Sequence, residues 1–353
     1  MIDKITYTKD WIDSISKQNR NTDKILVEKV IRALTLLTEL EQSGLKFIFK
    51  GGTALMLMLN KPTRLSIDID IIVEKDQPNL DTYFSNICKK GSFLHFTKQE
   101  RVVTNNIEKA HYKFFYNPAY TTHSQEEFVI LDILFESNPY ISLVDTTIQS
   151  PFIKCSDEPL FVKTPNFEGI LGDKLTAFAP NTTGIPYYKG TTSMSMEIVK
   201  QLYDIGNLFN VINHISEVRD TFNIIALNEL KYRNLQHLAP ADVLNDIIQT
   251  AFCICTRGLA GNGNFSDIQA GIKRMGSFIY SSRYVIEDAI LSASKAAYIA
   301  SLLKSESYTL LKFNPDTNIA DLSITNPAWN KLNKLKQGLP EAFWYWSKTT
   351  QQL

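Results

Sequence analysis

Asp68 and Asp70 stand inside the apolar run SIDIDIIV with only Ile69 between them, and a strand that carries two carboxylates there needs a reason. In a β-strand residues i and i+2 point to one face, their Cα atoms about 6.5–7 Å apart. Both carboxylates then aim the same way while Ile67, Ile69 and Ile71 face the core. Converging carboxylates repel, and burial raises the cost of ionising both. A divalent cation relieves both penalties: Mg²⁺ prefers hard oxygens and borrows its remaining ligands from water and phosphates. Upstream, Gly51-Gly52 carries no Cβ to keep a ligand from the backbone. A helix starting near Thr53 presents free N–H groups and a dipole that favour an anion such as a triphosphate. The Thr53 hydroxyl is placed to reach the same phosphate, and Arg64 and Ser66 add a cation and a hydroxyl. Alone, a Gly-Gly turn or an Asp-x-Asp pair is common in structural turns and exposed strand ends. The order strand, Gly-Gly, helix, Asp-x-Asp strand points to phosphate and metal chemistry.

These residues need elements to hold them. Ile25, Leu26, Val30, Ala33, Leu34, Leu37 and Leu40 form a helical stripe over residues 23–43, with Gly44 as the stop. Residues 46–49 read as a short buried strand, 53–59 as a helix broken by Pro62, and 66–73 as the aspartate strand. Further strands are expected at 92–103, 110–117 and 127–137, with short apolar pieces between 151 and 163. After Pro165 the pattern turns helical, in segments beginning GILGDKL, EIVKQLY, ADVLNDI, DIQAGIK and IEDAILS. Residues 180–195, rich in Gly, Pro, Thr and Ser, read as a loop, either a lid or a surface excursion. The division expected is an N-terminal extension (1–22), an α+β catalytic domain with a mixed sheet (23–164) and an all-α domain (165–353).

The 353 residues are 44% apolar and 21% charged with a formal net charge of zero, which excludes a strong, unfocused basic surface but not a local basic cleft. Cys88, Cys155, Cys253 and Cys255 show no metal-ligand spacing and read as buried free thiols of a reducing compartment. The N-terminal sequence is polar and mixed in charge rather than a secretory signal, and no apolar run approaches the roughly 20 residues of a membrane span. A cytoplasmic location is expected. The five histidines suggest no metal site, and His111 and His123 have no assignable partner.

Lys50-Gly51-Gly52-Thr53-Ala54-Leu55, followed by Arg64, Ser66, Asp68 and Asp70, resembles the signature of the polymerase β-like nucleotidyltransferase fold. More narrowly it resembles the AbiEii-like nucleotidyltransferases, toxins of type IV toxin–antitoxin and abortive-infection systems. The resemblance implies a third carboxylate from a later neighbouring strand, for which Asp132 in FVILDILFE is the candidate and Glu136 the fallback. It also implies a lysine helix and a basic–acidic helix, here Gly172-Asp173-Lys174-Leu175-Thr176-Ala177 and Lys200-Gln201-Leu202-Tyr203-Asp204-Ile205. Gln201 and Ile205 depart from that pattern.

On this resemblance the chain transfers a nucleoside monophosphate from an NTP to an acceptor hydroxyl, with Mg²⁺ or Mn²⁺ held by Asp68, Asp70 and Asp132. Gly51, Gly52, Thr53, Arg64 and Ser66 would bind the triphosphate and Lys174 offset its charge. Lys200 and Asp204, one helical turn apart, would line the nucleotide or acceptor pocket. The implied acceptor is the 3′ end of tRNA, and the implied partner an antitoxin encoded nearby. A protein or small-molecule acceptor, and a non-catalytic nucleotide-binding module, remain open alternatives. The C-terminal aromatics Trp329 and Phe343-Trp344-Tyr345-Trp346 read as a packed segment, with base stacking as the alternative.

Overall fold

The stripe expected over 23–43 is helix α2 (Lys24–Gln42), preceded by α1 (Lys9–Gln18). Asp23 caps α2 by accepting the Ile25 N–H at 2.8 Å, and Gly44 beyond its end takes φ +79°, the left-handed geometry of a helix stop. The computed structural model describes residues 2–59, 63–75, 79–99, 108–120, 125–155 and 158–353. Pro62, the end of the expected 92–103 strand and His123 lie outside the described residues.

Contacts divide the chain into two units. One holds Met1–Asn166 and Ser277–Arg283, the other Phe167–Gly276 and Tyr284–Leu353. The first unit is built on a five-stranded mixed sheet. Its strands are β1 (Ile48–Lys50), β2 (Ile69–Val73), β3 (His95–Gln99), β4 (Lys109–Tyr116) and β5 (Glu127–Phe135), in the order β1-β2-β5-β4-β3. Helix α3 (Gly51–Met58) leaves β1 directly, and α4 (Leu80–Lys89) joins β2 to β3. Strand β2 runs parallel to β5, and the other pairs are antiparallel. The aspartate strand begins at Ile69 rather than at residue 66, so Asp68 immediately precedes it.

Period-two alternation sorts the faces of this sheet. Ile69 and Ile71 on β2, Tyr112, Phe114 and Tyr116 on β4, and Val129, Leu131 and Ile133 on β5 are buried in one core with residues of α1 and α2. Asp70, His111 and Asp132 occupy intervening positions and are half-buried. Glu28 of α2 accepts the N–H groups of Ala119 and Tyr120 at 2.7 and 3.1 Å, tying the chain beyond β4 to that helix. A hairpin the sequence did not suggest, β6 (Leu143–Thr147) with β7 (Phe161–Pro165), lies against β1 and α3.

The helical unit comprises α5 (Phe167–Ala177), α6 (Ser195–Val211), α7 (Ile215–Tyr232), α8 (Pro240–Cys255), α9 (Phe265–Met275), α10 (Ile286–Lys304), the single turn α11 (Leu335–Gly338) and α12 (Pro340–Gln352). Helix α10 packs against α6, α8 and α12, and its fully buried Ala293, Ala296, Ala297 and Ala300 allow close approach. Helix α9 stops at Met275, and Ser277–Arg283 belongs to the first unit.

The unit is not purely helical. Residues 180–195 contain the hairpin β8 (Tyr188–Lys189) and β9 (Thr192–Ser193). Asp246 of α8 accepts from the Asn181 N–H, Asn181 Nδ2 and Thr182 Oγ1 at 2.6–2.9 Å. Burial pushes its carboxyl above the usual carboxylate range, partly opposed by those hydrogen bonds. Tyr188 donates to Asp267, and Arg274 to Ser193 and Ser195. The segment is an excursion fastened to α8 and α9.

Candidate active site

The two glycines are the close-contact point of the first unit. Gly51 has φ +81°, and a Cβ built on it would lie 2.1 Å from Asp70 Oδ2. A side chain there meets both a left-handed backbone and the Asp70 carboxylate. A Cβ on Gly52 would lie 2.5 Å from Arg64 Nη2 and 2.8 Å from Ser66 Oγ. Asp70, Arg64 and Ser66, called up separately by the sequence, therefore converge on the Gly51-Gly52 corner. Helix α3 starts at that corner with no side-chain cap, leaving its first N–H groups to be satisfied by other partners.

Each group is positioned by a neighbour. Thr53 is fully buried, and its hydroxyl donates to the Asp68 carbonyl at 2.6 Å. That hydroxyl braces the aspartate segment rather than standing free for a ligand. Leu65 donates its N–H to the Phe278 carbonyl at 2.7 Å, Arg64 forms a β-bridge with Ile279, and Ser281 Oγ donates to the Thr63 carbonyl at 3.2 Å. The returning segment Ser277–Arg283 thus fixes the approach to Asp68 and Asp70 from more than two hundred residues away.

Asp132 lies directly beside Asp70: the two are Cα partners on parallel strands. Lys50 is the partner of Asp70 on β1, and His111 that of Asp132 on β4. Lys50, Asp70, Asp132 and His111 form one row across four strands. His111 Nδ1 lies 2.5 Å from Asp132 Oδ1. The histidine was missed because its partner becomes visible only once the β4–β5 register is known. Glu136, the fallback, lies past the end of β5 at Phe135, so strand alternation does not carry it to this row.

Among the described residues no three His, Cys, Asp or Glu side chains already stand as a cage for an ion. The donor chemistry nevertheless fits a hard divalent cation. Asp70 and Asp132 offer carboxylates from neighbouring strands, and Mg²⁺ takes one or two protein carboxylates with water and phosphate oxygens completing its shell.

In the helical unit, Lys174 of α5 forms an ion pair with Asp204 of α6, Nζ to Oδ2 2.9 Å, and also donates to Gln201 Oε1 at 2.9 Å. Only 9% and 2% of the Lys174 and Asp204 side chains are exposed. Gln201, which departs from the expected pattern, serves as the amine's neutral second acceptor. Lys200 pairs with Glu197 on its own helix at 3.1 Å. The C-terminal rings are spent in packing: Phe343, Trp344, Tyr345 and Trp346 are buried, and Trp346 stacks with Trp329.

The four cysteines are free. Cys253 and Cys255 are buried as expected, whereas Cys88 is half-buried and Cys155 exposed. Among the described residues no helix is long and apolar enough to cross a membrane.

Residues 34–267 match the family model described as "Nucleotidyl transferase AbiEii toxin, Type IV TA system". The chain belongs to the AbiEii family. The matched stretch takes in the Gly-Gly corner, Asp68, Asp70, Asp132, Lys174 and Asp204 of this AbiEii nucleotidyltransferase. No curated protein matches the sequence. Among solved structures, JHP933 from Helicobacter pylori aligns at 16% identity and a TM-score of 0.41, covering 83% of this chain and 94% of its own. A chain described as "putative nucleotidyltransferase from H. pylori" aligns at 16% identity and a TM-score of 0.37, covering 80% and 94%.

Proposed function

We propose that this AbiEii nucleotidyltransferase moves a nucleoside monophosphate from an NTP to a hydroxyl at the 3′ end of tRNA, as the toxin of a pair completed by a cognate antitoxin. The observation that carries the transferase site is the Asp70–Asp132 pairing beside the Gly51-Gly52 corner. Asp68, Asp70 and Asp132 would hold Mg²⁺ or Mn²⁺, which when bound supplies positive charge to the reacting phosphate oxygens. The N–H groups opening α3 would bind triphosphate oxygens, and Arg64 and Ser66 would contact them over Gly52. Asp132 would accept the proton of the attacking hydroxyl. The acceptor oxygen then bonds to the α-phosphorus as the bond to the β-phosphate breaks, and pyrophosphate leaves. Lys174 is the helical unit's phosphate donor in this reading, with Lys200 and Asp204 serving nucleotide or acceptor binding. Because Asp204 already neutralises Lys174, the lysine contributes a directed N–H more than net charge.

A protein or small-molecule acceptor is the second reading. It is favoured by the zero net charge and by the burial of the C-terminal rings, which removes a stacking platform for RNA bases. The test is incubation with each α-labelled NTP, Mg²⁺ or Mn²⁺ and total tRNA, beside an Asp68→Ala/Asp70→Ala double variant. Label on tRNA from the unmodified protein alone supports the first reading, and label on protein or a small molecule the second. Nucleotide binding without transfer to any acceptor contradicts both.

A further inference from the structure

We infer that His111 is a positioning residue of the transfer site, holding one oxygen of Asp132 so that the other is presented to the reaction. The inference rests on the proposed role of Asp132, and three observations carry it.

The first is register. His111 and Asp132 are Cα partners within the eight-residue β4–β5 ladder, and Asp132 and Asp70 are partners on the other side. Side chains at one register position share a face of the sheet. His111 therefore belongs to the row that carries the proposed catalytic carboxylates.

The second is the contact. His111 Nδ1 stands 2.5 Å from Asp132 Oδ1, with the ring 15% and the carboxylate 37% exposed. An ionised carboxylate only accepts, so Nδ1 carries the proton. The contrasting pair is His95–Glu126, 3.0 Å apart at the outer strand β3 with both side chains over 40% exposed. That pair is a surface contact of small energetic weight.

The third is what the contact leaves. Asp132 Oδ2 has no hydrogen-bond or ion-pair partner among the described residues. The contact holds the carboxylate by Oδ1 and favours the rotamer that makes it, and Oδ2 stays available to a proton or a cation. Without the ring Asp132 is free to take other rotamers. A misplacement of about 1 Å in a reacting group can cost on the order of 100-fold in rate.

The test compares His111→Ala, His111→Asn, His95→Ala and Asp132→Ala in the full chain, with steady-state transfer kinetics and calorimetric binding of a non-hydrolysable NTP. His111→Ala is expected to lower kcat about 10- to 100-fold with NTP affinity within about threefold. His111→Asn, whose amide N–H takes the place of Nδ1–H, is expected to recover most of that loss, and His95→Ala to match the unmodified protein. An unchanged kcat in His111→Ala, while Asp132→Ala abolishes transfer, overturns the inference and leaves the proposed function standing. Full activity in Asp132→Ala removes the underlying reading instead. If His111→Ala does not fold, the decision rests on His111→Asn against His111→Phe, which fills the space without a donor. Equal kcat in those two overturns the inference, and a higher kcat in His111→Asn supports it.

Discussion

Asp70 and Asp132 are direct neighbours on parallel strands although sixty-two positions separate them in the chain. Their strands are buried on the opposite face by Ile69, Ile71, Leu131 and Ile133, so the core fixes the register and the register fixes the carboxylates. A one-residue slip would turn every one of these side chains over, which makes the pair as firm as the core beneath it.

The Gly-Gly corner predicts an asymmetry. Gly51→Ala places a Cβ against Asp70 on a left-handed backbone, so it should destabilise the first unit by about 1–2 kcal/mol or more and remove transfer. Gly52→Ala meets the ends of the Arg64 and Ser66 side chains, which can shift. It should fold normally and raise KM for NTP. Thermal unfolding together with NTP saturation curves checks both, and equal behaviour of the two variants contradicts the assignment.

Thr53 should behave as a brace. Thr53→Val leaves the Asp68 carbonyl without the 2.6 Å hydroxyl donor, a loss of about 1–3 kcal/mol for a buried polar group. Thr53→Ser keeps the donor and should retain most of the stability and transfer. Denaturant unfolding of the two variants is the measurement.

Lys174 and Asp204 call for a double-mutant cycle. Lys174→Met leaves Asp204 buried without this cation and should cost about 3–5 kcal/mol, whereas Lys174→Met/Asp204→Leu should recover much of that stability. If the pair is only structural, the double variant regains transfer along with stability. The proposed phosphate contact requires it to regain stability alone.

Local sequence patterns carry part of this site, and long-range packing carries the rest. Gly51-Gly52, Asp-x-Asp and an aspartate inside the apolar β5 are local patterns, and Asp132 stood out as the third carboxylate that the family resemblance implies. Helix α7 was not picked out, and the exposed Ile224 and Leu227 blur its apolar stripe. Strands β6 and β7 are five residues each with polar positions, too short for a period. The bracing by Phe278, Ile279 and Ser281 joins segments more than two hundred residues apart, which no local pattern reports. Lys200 and Asp204 could be placed one turn apart on α6, but only packing against α5 shows that Lys174 meets Asp204.

Thiol chemistry gives an independent check on packing. Burial pushes the Cys255 thiol up to about 12 and raises Cys253 and Cys88 as well, while Cys155 is exposed. A disulfide reagent at pH 8 should modify Cys155 first and reach Cys253 and Cys255 only on unfolding. In linkage terms Cys255 stays neutral when folded and ionises near its ordinary 9.0 when unfolded. Stability is therefore lost as pH rises from about 9 toward 12. Denaturant midpoints across that range, in Cys255→Ala beside the unmodified protein, isolate this contribution.

The most direct test of the central claim is single-turnover transfer from α-labelled NTP by Asp70→Asn and Asp132→Asn, each compared with the unmodified protein on whichever acceptor takes the label. Both variants keep the size of the side chain and should unfold within a few degrees of the parent. Each should transfer on the order of 100-fold more slowly or worse. A folded Asp132→Asn that transfers at the parent rate contradicts the claim.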